Sequence, residues 1–368
     1  MNNYVVKNYD KSGVKIYEYD VLRVITTLLV IISHCGYYNI ITNYGGIRYG
    51  ELVNINKYNI FIYIIFSHIV KFIYTFHMPL FIALSGALFN IQIKNNKFSN
   101  HKELINNKFK RLIIPFFIVT LIYSVPIKLI SGYFNDSKNL AKDIIVGQLL
   151  IQGNTYLWFL PTLFLCFITI YFLENKKYIK NKWILFFILN IVSYCIPIKI
   201  IRYLFQNIIW FYLGFVFEGN RKSFNNKFKK NKNLCILILI SSILLFVLKL
   251  INPFDQYFLF KIIDKILIVI QALFGCIFIY LISLNLSQLK IYKNYIYKEI
   301  SDTSFGLYLY SDPLNYLVLF VIYETIGENI FTTEIGSIFI ISLRMIITFT
   351  FAFIITKVLQ KLKLKYIV

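Results

Sequence analysis

Long apolar runs separated by short polar connections occupy almost the whole chain. Ten runs approach or exceed membrane length: 20–39, 60–92, 112–130, 156–173, 183–197, 203–218, 234–251, 262–285, 302–323 and 335–357. A hydrocarbon core about 30 Å thick needs about 20 apolar residues at 1.5 Å of rise each. The runs are continuously apolar and lack the alternation of a barrel strand, so helices are expected and strands are not. The second run is long enough to bend at Pro79. The fifth and sixth are short and share the small connection from Pro197 to Arg202. This pattern predicts an all-α, polytopic integral membrane protein of about ten transmembrane helices. It forms a single membrane-embedded domain over 1–368, with tails at 1–19 and 358–368. No small-residue cleavage site follows the first run, which is therefore expected to persist as a span.

Charge adds orientation to this picture. The chain carries 39 Lys and Arg against 17 Asp and Glu, a net charge of +22. One set of connections comprises the N-terminal tail, 93–111, 174–182, 219–233, 286–301 and the C-terminal tail. It holds 26 of the basic residues when Lys357 is counted with the tail, whereas the alternate set (40–59, 131–155, 198–202, 252–261 and 324–334) holds 7. The positive-inside rule then puts both termini in the cytoplasm, with anionic membrane lipid as a neighbour. A bacterial cell membrane is the expected location. The basic residues so distributed account for the charge as topology, and no nucleic-acid partner is expected. The five cysteines lie in or beside apolar runs without paired short spacing, as buried small hydrophobes do, and no metal is expected.

Two ionisable residues interrupt the first run. Arg23 and His34 are eleven residues apart, about 20° past three full helical turns and about 16 Å along the axis. Both should project from one stripe, with the cation at the membrane edge and the imidazole deep inside. Ionisable groups inside a span are costly and are usually kept for a function.

Five stretches, in order, carry a family resemblance. Arg23 and His34 form an R-x(10)-H pattern. Phe76-His77-Met78-Pro79-Leu80-Phe81-Ile82-Ala83-Leu84-Ser85-Gly86 resembles an "MPLFF-x-x-SG" signature. Lys108-Phe109-Lys110-Arg111-Leu112-Ile113-Ile114-Pro115 resembles a basic lead-in to the third span, and Leu157-Trp158-Phe159-Leu160 resembles "lWFL". Ser304-Phe305-Gly306-Leu307-Tyr308-Leu309-Tyr310 resembles "S-x-G-I-Y-L". Together they resemble the integral membrane acyltransferases of acyltransferase type 3. That resemblance spans nearly the whole chain. It implies transfer of an acyl group, most often acetyl, from acyl-CoA to a sugar of a surface polysaccharide. Many members place a histidine just after the last motif; here the neighbourhood is Tyr310-Ser311-Asp312-Pro313, and that histidine's role is not carried over. The esterase-like domain fused in some members is not expected here, so the transfer is expected to finish within the membrane domain or pass to another protein.

Acyl transfer from a thioester to a hydroxyl needs a base at the hydroxyl and a grip on a phosphate-rich donor. His34 is the expected base, because imidazole is the side chain suited to proton exchange near neutrality. Arg23 is expected to meet the phosphates or the pantetheine arm of acetyl-CoA or another acyl-CoA, against the plainer reading of a snorkelling anchor. Lys108 and Arg111, three apart at the start of the third span, are the second choice for those phosphates. His77 is expected near the depth of His34, assisting catalysis, orienting substrate or only capping the bend before Pro79. Ser85 and Gly86 suit close helix approach. Asp312 is expected either to fix the tautomer of His34 or to pair with Arg344, and the sequence leaves both open. Trp158 and Tyr156 are candidates for a sugar pocket on the external side, aromatic-belt residues being the commoner explanation.

The leading expectation is a membrane O-acyltransferase acting on a cell-surface glycan or lipid-linked sugar. The alternatives are a transporter or flippase for lipid-linked sugars and a non-catalytic partner in surface-polymer assembly. Few buried ionisable residues, centred on a histidine, and no evident internal repeat favour the enzyme.

Overall fold

A computed structural model describes residues 15–38, 60–153, 156–174, 181–228, 232–251, 258–364 and 367. Residues 1–14 of the N-terminal tail and the whole predicted external connection 40–59 lie outside the described residues, as do 175–180, 229–231 and 252–257. The described residues are 88% helical, with no strand among them. Helices coincide with all ten predicted runs. They are α1 (Tyr17–Cys35), α2 (Phe61–Lys94), α3 (His101–Ile130), α4 (Tyr156–Glu174) and α5 (Lys182–Val192). Then follow α6 (Lys199–Phe228), α7 (Lys232–Ile251), α8 (Phe258–Gln288), α9 (Tyr295–Ile326) and α10 (Glu334–Lys361). Seven of them (α2, α3, α4, α6, α8, α9 and α10) contain stretches long and apolar enough to cross a membrane. The other predicted spans lie on α1 and on the shorter apolar helices 182–195 and 233–248. Exposed side chains such as Ile122 (74%) and Ile335 (81%) suit contact with lipid tails.

Several helices run beyond their apolar runs. The predicted cytoplasmic connection 219–233 is helical through Phe228, and Arg221 within it is buried rather than a solvated topogenic charge. Helix α3 starts at His101, where Asn100 Oδ1 accepts from the Glu103 amide at 2.9 Å and the Glu103 carboxylate accepts from the amide and hydroxyl of Ser99. Two π segments, Phe109–Ile113 and Thr120–Ser124, interrupt α3. Each lies just ahead of a proline, Pro115 and Pro126, whose ring and missing N–H prevent ordinary i→i−4 bonding.

The chain divides into two units, each assembled from three stretches of sequence. The first comprises 1–26, 72–107 and 162–302, the second 27–71, 108–161 and 303–368. In the first unit, α2 and α6 cross at glycine. A Cβ on Gly86 would stand 2.0 Å from the carbonyl oxygen of Phe211, and one on Gly214 would stand 1.9 Å from that of Ala83. Asn90 Nδ2 adds a hydrogen bond to the Phe215 carbonyl at 2.7 Å. Small residues thus let two backbones meet where lipid offers no hydrophobic drive for association. We expect Gly214→Ala to lower stability by about 1–3 kcal/mol, because backbone rather than a movable side chain must give way. Gly219 lies on the same helix with nothing within 4 Å of its would-be Cβ. Gly219→Ala should be neutral or slightly stabilising. Melting of the two variants in one detergent checks the pair, and equal melting points would refute the close crossing.

The first unit also holds a buried ionic network. The Arg221 guanidinium donates to Glu18 Oε1 through Nη1 and to Glu218 Oε2 through Nε, the latter at 2.9 Å. Asn225 Nδ2 donates to the same Glu18 oxygen at 3.0 Å, Tyr280 donates to Asn225 Oδ1 at 2.8 Å, and the Tyr19 hydroxyl donates to Glu218. The start of α1, the end of α6 and the second half of α8 are joined by these bonds.

In the second unit a core of Tyr38, Tyr63, Tyr133, Phe134, Tyr316, Leu319 and Phe331 gathers the end of α1, the start of α2, the end of α3 and α9. Glu334, opening α10, turns its carboxylate to the amides of Phe61 and Ile62 and so caps α2, where a helix N-terminus favours negative charge. Thr333 caps α10 itself, accepting from the Gly336 amide at 3.0 Å.

Candidate active site

The predicted site residues divide between the units. Arg23 and His77 belong to the first; His34, Asp312, Lys108, Arg111, Tyr156 and Trp158 belong to the second.

In the second unit the end of α1 carries His34, and α9 carries Asp312. His34 Nδ1 lies 2.8 Å from Asp312 Oδ1. The carboxylate side chain is 2% exposed and the imidazole 17%, so the acid is sealed behind a ring that keeps an accessible edge. Tyr37 donates its hydroxyl to the same Oδ1 at 3.3 Å and presents its ring edge-on to the imidazole. Oδ2 of Asp312 is buried and accepts no hydrogen bond among the described residues. A carboxylate on Nδ1 assigns the proton to that nitrogen and makes Nε2 the basic atom of the ring.

Of the two partners open to Asp312 in the sequence, the structure pairs it with His34. Arg344, fully buried on α10, goes elsewhere. Its Nη2 donates to the His34 carbonyl at 2.9 Å, and its Nη1 to the carbonyls of Cys35 at 2.7 Å and Tyr37 at 2.6 Å. Its Nε donates to Asn315 Oδ1 at 3.2 Å.

Pro313 explains how Asp312 is presented. It lies inside α9 and cannot donate to the Leu309 carbonyl four residues earlier. The Tyr156 hydroxyl fills that vacancy, donating to the Leu309 carbonyl at 2.6 Å. Tyr123 donates to the next carbonyl, Tyr310, at 2.9 Å, and Tyr308 returns a bond to the Tyr156 carbonyl at 3.0 Å. Tyr156, expected in a sugar pocket, is therefore buried with its hydroxyl committed to the opened turn of α9. Trp158 is half-buried, with its ring edge-on to Phe159.

Lys128 is a member of this neighbourhood that the motifs did not single out. It is fully buried at the end of α3, donating to Gln148 Oε1 at 2.8 Å. Its ammonium stands 4.4 Å from the Tyr133 ring centroid and 5.6 Å from that of Tyr316, and within electrostatic reach of Asp312. A lone lysine in an apolar run is the signal that could have found it. Lys108 is buried and Arg111 half-buried, on either side of the start of the first π segment. The wider turn there alters the angular offset expected for an i,i+3 pair on an ordinary α-helix.

In the first unit Arg23 has Nη1 3.8 Å from Asp20 Oδ1, and Lys15 reaches the other oxygen of Asp20 at 2.9 Å. His77 is buried, with Nδ1 2.9 Å from the Ile73 carbonyl of its own helix and its ring edge-on to Tyr74. That contact falls in the turn before Pro79.

A pairing of histidine with carboxylate, buried in a helical membrane protein, suits proton exchange with a hydroxyl. A family model described as an acyltransferase domain, that of acyltransferase type 3, matches residues 16–357. This chain belongs to the acyltransferase type 3 family. It is a multi-pass membrane acyltransferase by that membership and by its apolar helices. No curated protein and no solved structure matches it. The family match covers α1 to most of α10 and so takes in both units, including His34, Asp312 and Arg344.

Proposed function

We propose that this acyltransferase moves an acyl group, acetyl being the first choice, from acyl-CoA to a hydroxyl of a cell-surface or lipid-linked glycan in a bacterial cell membrane. The reading rests above all on the His34–Asp312 pair at 2.8 Å in a chain of an acyltransferase family. Asp312 holds the Nδ1 proton and steadies the positive charge the ring acquires. Nε2 removes the acceptor's hydroxyl proton as its oxygen attacks the thioester carbonyl carbon. The tetrahedral intermediate collapses, the carbon–sulfur bond breaks, and the imidazolium returns the proton to the departing CoA thiolate. The chemistry requires no metal. Trp158 offers a ring face for a sugar. The whole chain, 1–368, acts as one membrane-embedded catalytic domain, with both termini cytoplasmic.

The decisive test compares surface glycans from cells with and without the gene by mass. One acyl group should be missing per modified sugar, and an unchanged mass profile would overturn the acceptor assignment.

Lys108 and Arg111, and separately Arg23, are assigned to the phosphates of the donor. Replacing each with Ala should weaken acetyl-CoA binding several-fold and leave acceptor binding nearly unchanged. The loss should shrink for a short thioester lacking the nucleotide, since only the charge–phosphate contact is removed. Equal losses with both donors would assign these cations to folding or membrane topology.

A further inference from the structure

Arg344 is fully buried on α10 and faces the end of α1. The last carbonyls of a helix have no intrahelical donor, and within a bilayer no water replaces one. Helix α1 ends at Cys35 beneath this guanidinium, which takes the carbonyls of His34, Cys35 and Tyr37 together. Its fourth bond goes to Asn315, on α9 three residues past Asp312. Among the described residues Arg344 has no carboxylate within ion-pairing distance, so its charge is spread over backbone dipoles. Its guanidinium carbon stands 5.0 Å from the Tyr37 ring centroid. The two residues that bond Asp312 Oδ1, His34 and Tyr37, are both held at their own backbone by this one side chain.

We infer that Arg344 is a positioning residue for acyl transfer: it sets the reach and angle of His34 toward Asp312 by gripping the end of α1 and tying it to α9. The inference rests on the reading of His34 as the base. A plain helix cap would need one or two of these bonds and none to Asn315. The planar fork is what permits all four, and an ammonium could not reproduce it.

The test is a double-mutant cycle. Label transferred from acetyl-CoA is followed in inverted membrane vesicles carrying the host's own glycan, under single-turnover conditions. Arg344→Lys keeps the charge and loses the fork. It should lower turnover about a hundredfold, the scale expected of an ångström-level misplacement, with the KM for acetyl-CoA within about twofold. In a His34→Gln background the same change should cost almost nothing further, because the group it positions is gone. Equal factors in both backgrounds would make Arg344 purely structural and overturn the inference, as would normal turnover of Arg344→Lys. If Arg344→Lys does not fold, Asn315→Ala removes only the tie to α9. It should then cost about tenfold in the wild-type background and nothing in His34→Gln, and no loss in wild type overturns the proposal. Near-normal turnover of His34→Gln alone would instead defeat the acyl-transfer reading of His34. Inactive His34→Gln beside active Arg344→Lys defeats only the positioning role.

Discussion

His34→Gln should lower single-turnover acyl transfer by about a hundredfold to ten-thousandfold, the usual contribution of a placed general base. The protein should still be made, inserted and able to bind acetyl-CoA. Gln is chosen because its amide can still donate to Asp312 Oδ1, the atom now 2.8 Å from Nδ1, so packing and the buried carboxylate stay satisfied. What is lost is the second nitrogen with its lone pair. A histidine kept for packing gives another result, in which most activity survives and any loss follows the melting temperature. Turnover and melting measured on one preparation separate the two. Near-normal turnover would remove His34 from the mechanism and bring forward His77, whose Nδ1 is held by the Ile73 carbonyl.

Arg221→Ala should destabilise the first unit by about 3–5 kcal/mol, the scale for breaking a buried ion pair from one side. The side chain of Arg221 is 8% exposed, and those of its partners Glu218 and Glu18 are 8% and 13% exposed. Removing the guanidinium leaves two nearly buried carboxylates facing each other across the junction of α1 and α6. Tyr19, Asn225 and Tyr280 bond to those acids or to one another and cannot neutralise them. The measurement is melting in detergent, with the yield of folded protein as a second readout. Neutralising both acids, in Arg221→Ala/Glu18→Gln/Glu218→Gln, should recover much of the loss, since the penalty lies in the unpaired charge. A triple variant no more stable than Arg221→Ala would assign the effect to lost packing.

The contrast between these two clusters shows what local sequence can and cannot reveal. His34 stood out because an imidazole in a continuous apolar run is conspicuous by itself. Arg221 did not, because it sits among lysines in a stretch that reads as a cytoplasmic connection. Its burial follows from α6 continuing through Phe228 and from an acid, Glu18, 203 residues away on α1.

By itself the sequence determined the helical, membrane-spanning class, because unbroken apolar runs of membrane length satisfy their own backbone only as helices. It also determined the helix that bears His34, the glycine contact at Gly86 and the family, through five motifs in order. These signals are local, fixed by residue type and by spacing of a few turns. Partner choice is not local. Tyr37 and Asp312 are 275 residues apart, and Arg344 and His34 310. Only the packing of α1, α3, α9 and α10 decided that Asp312 serves His34, that Arg344 serves the end of α1, and that Lys128 lies beside both Tyr133 and Tyr316. Packing of α4 against α9 likewise decided that the Tyr156 hydroxyl donates to the Leu309 carbonyl, which Pro313 leaves without its own donor. A buried polar group takes whichever partner the neighbouring helix brings within about 3 Å, and periodicity along one helix carries no record of which helix that will be.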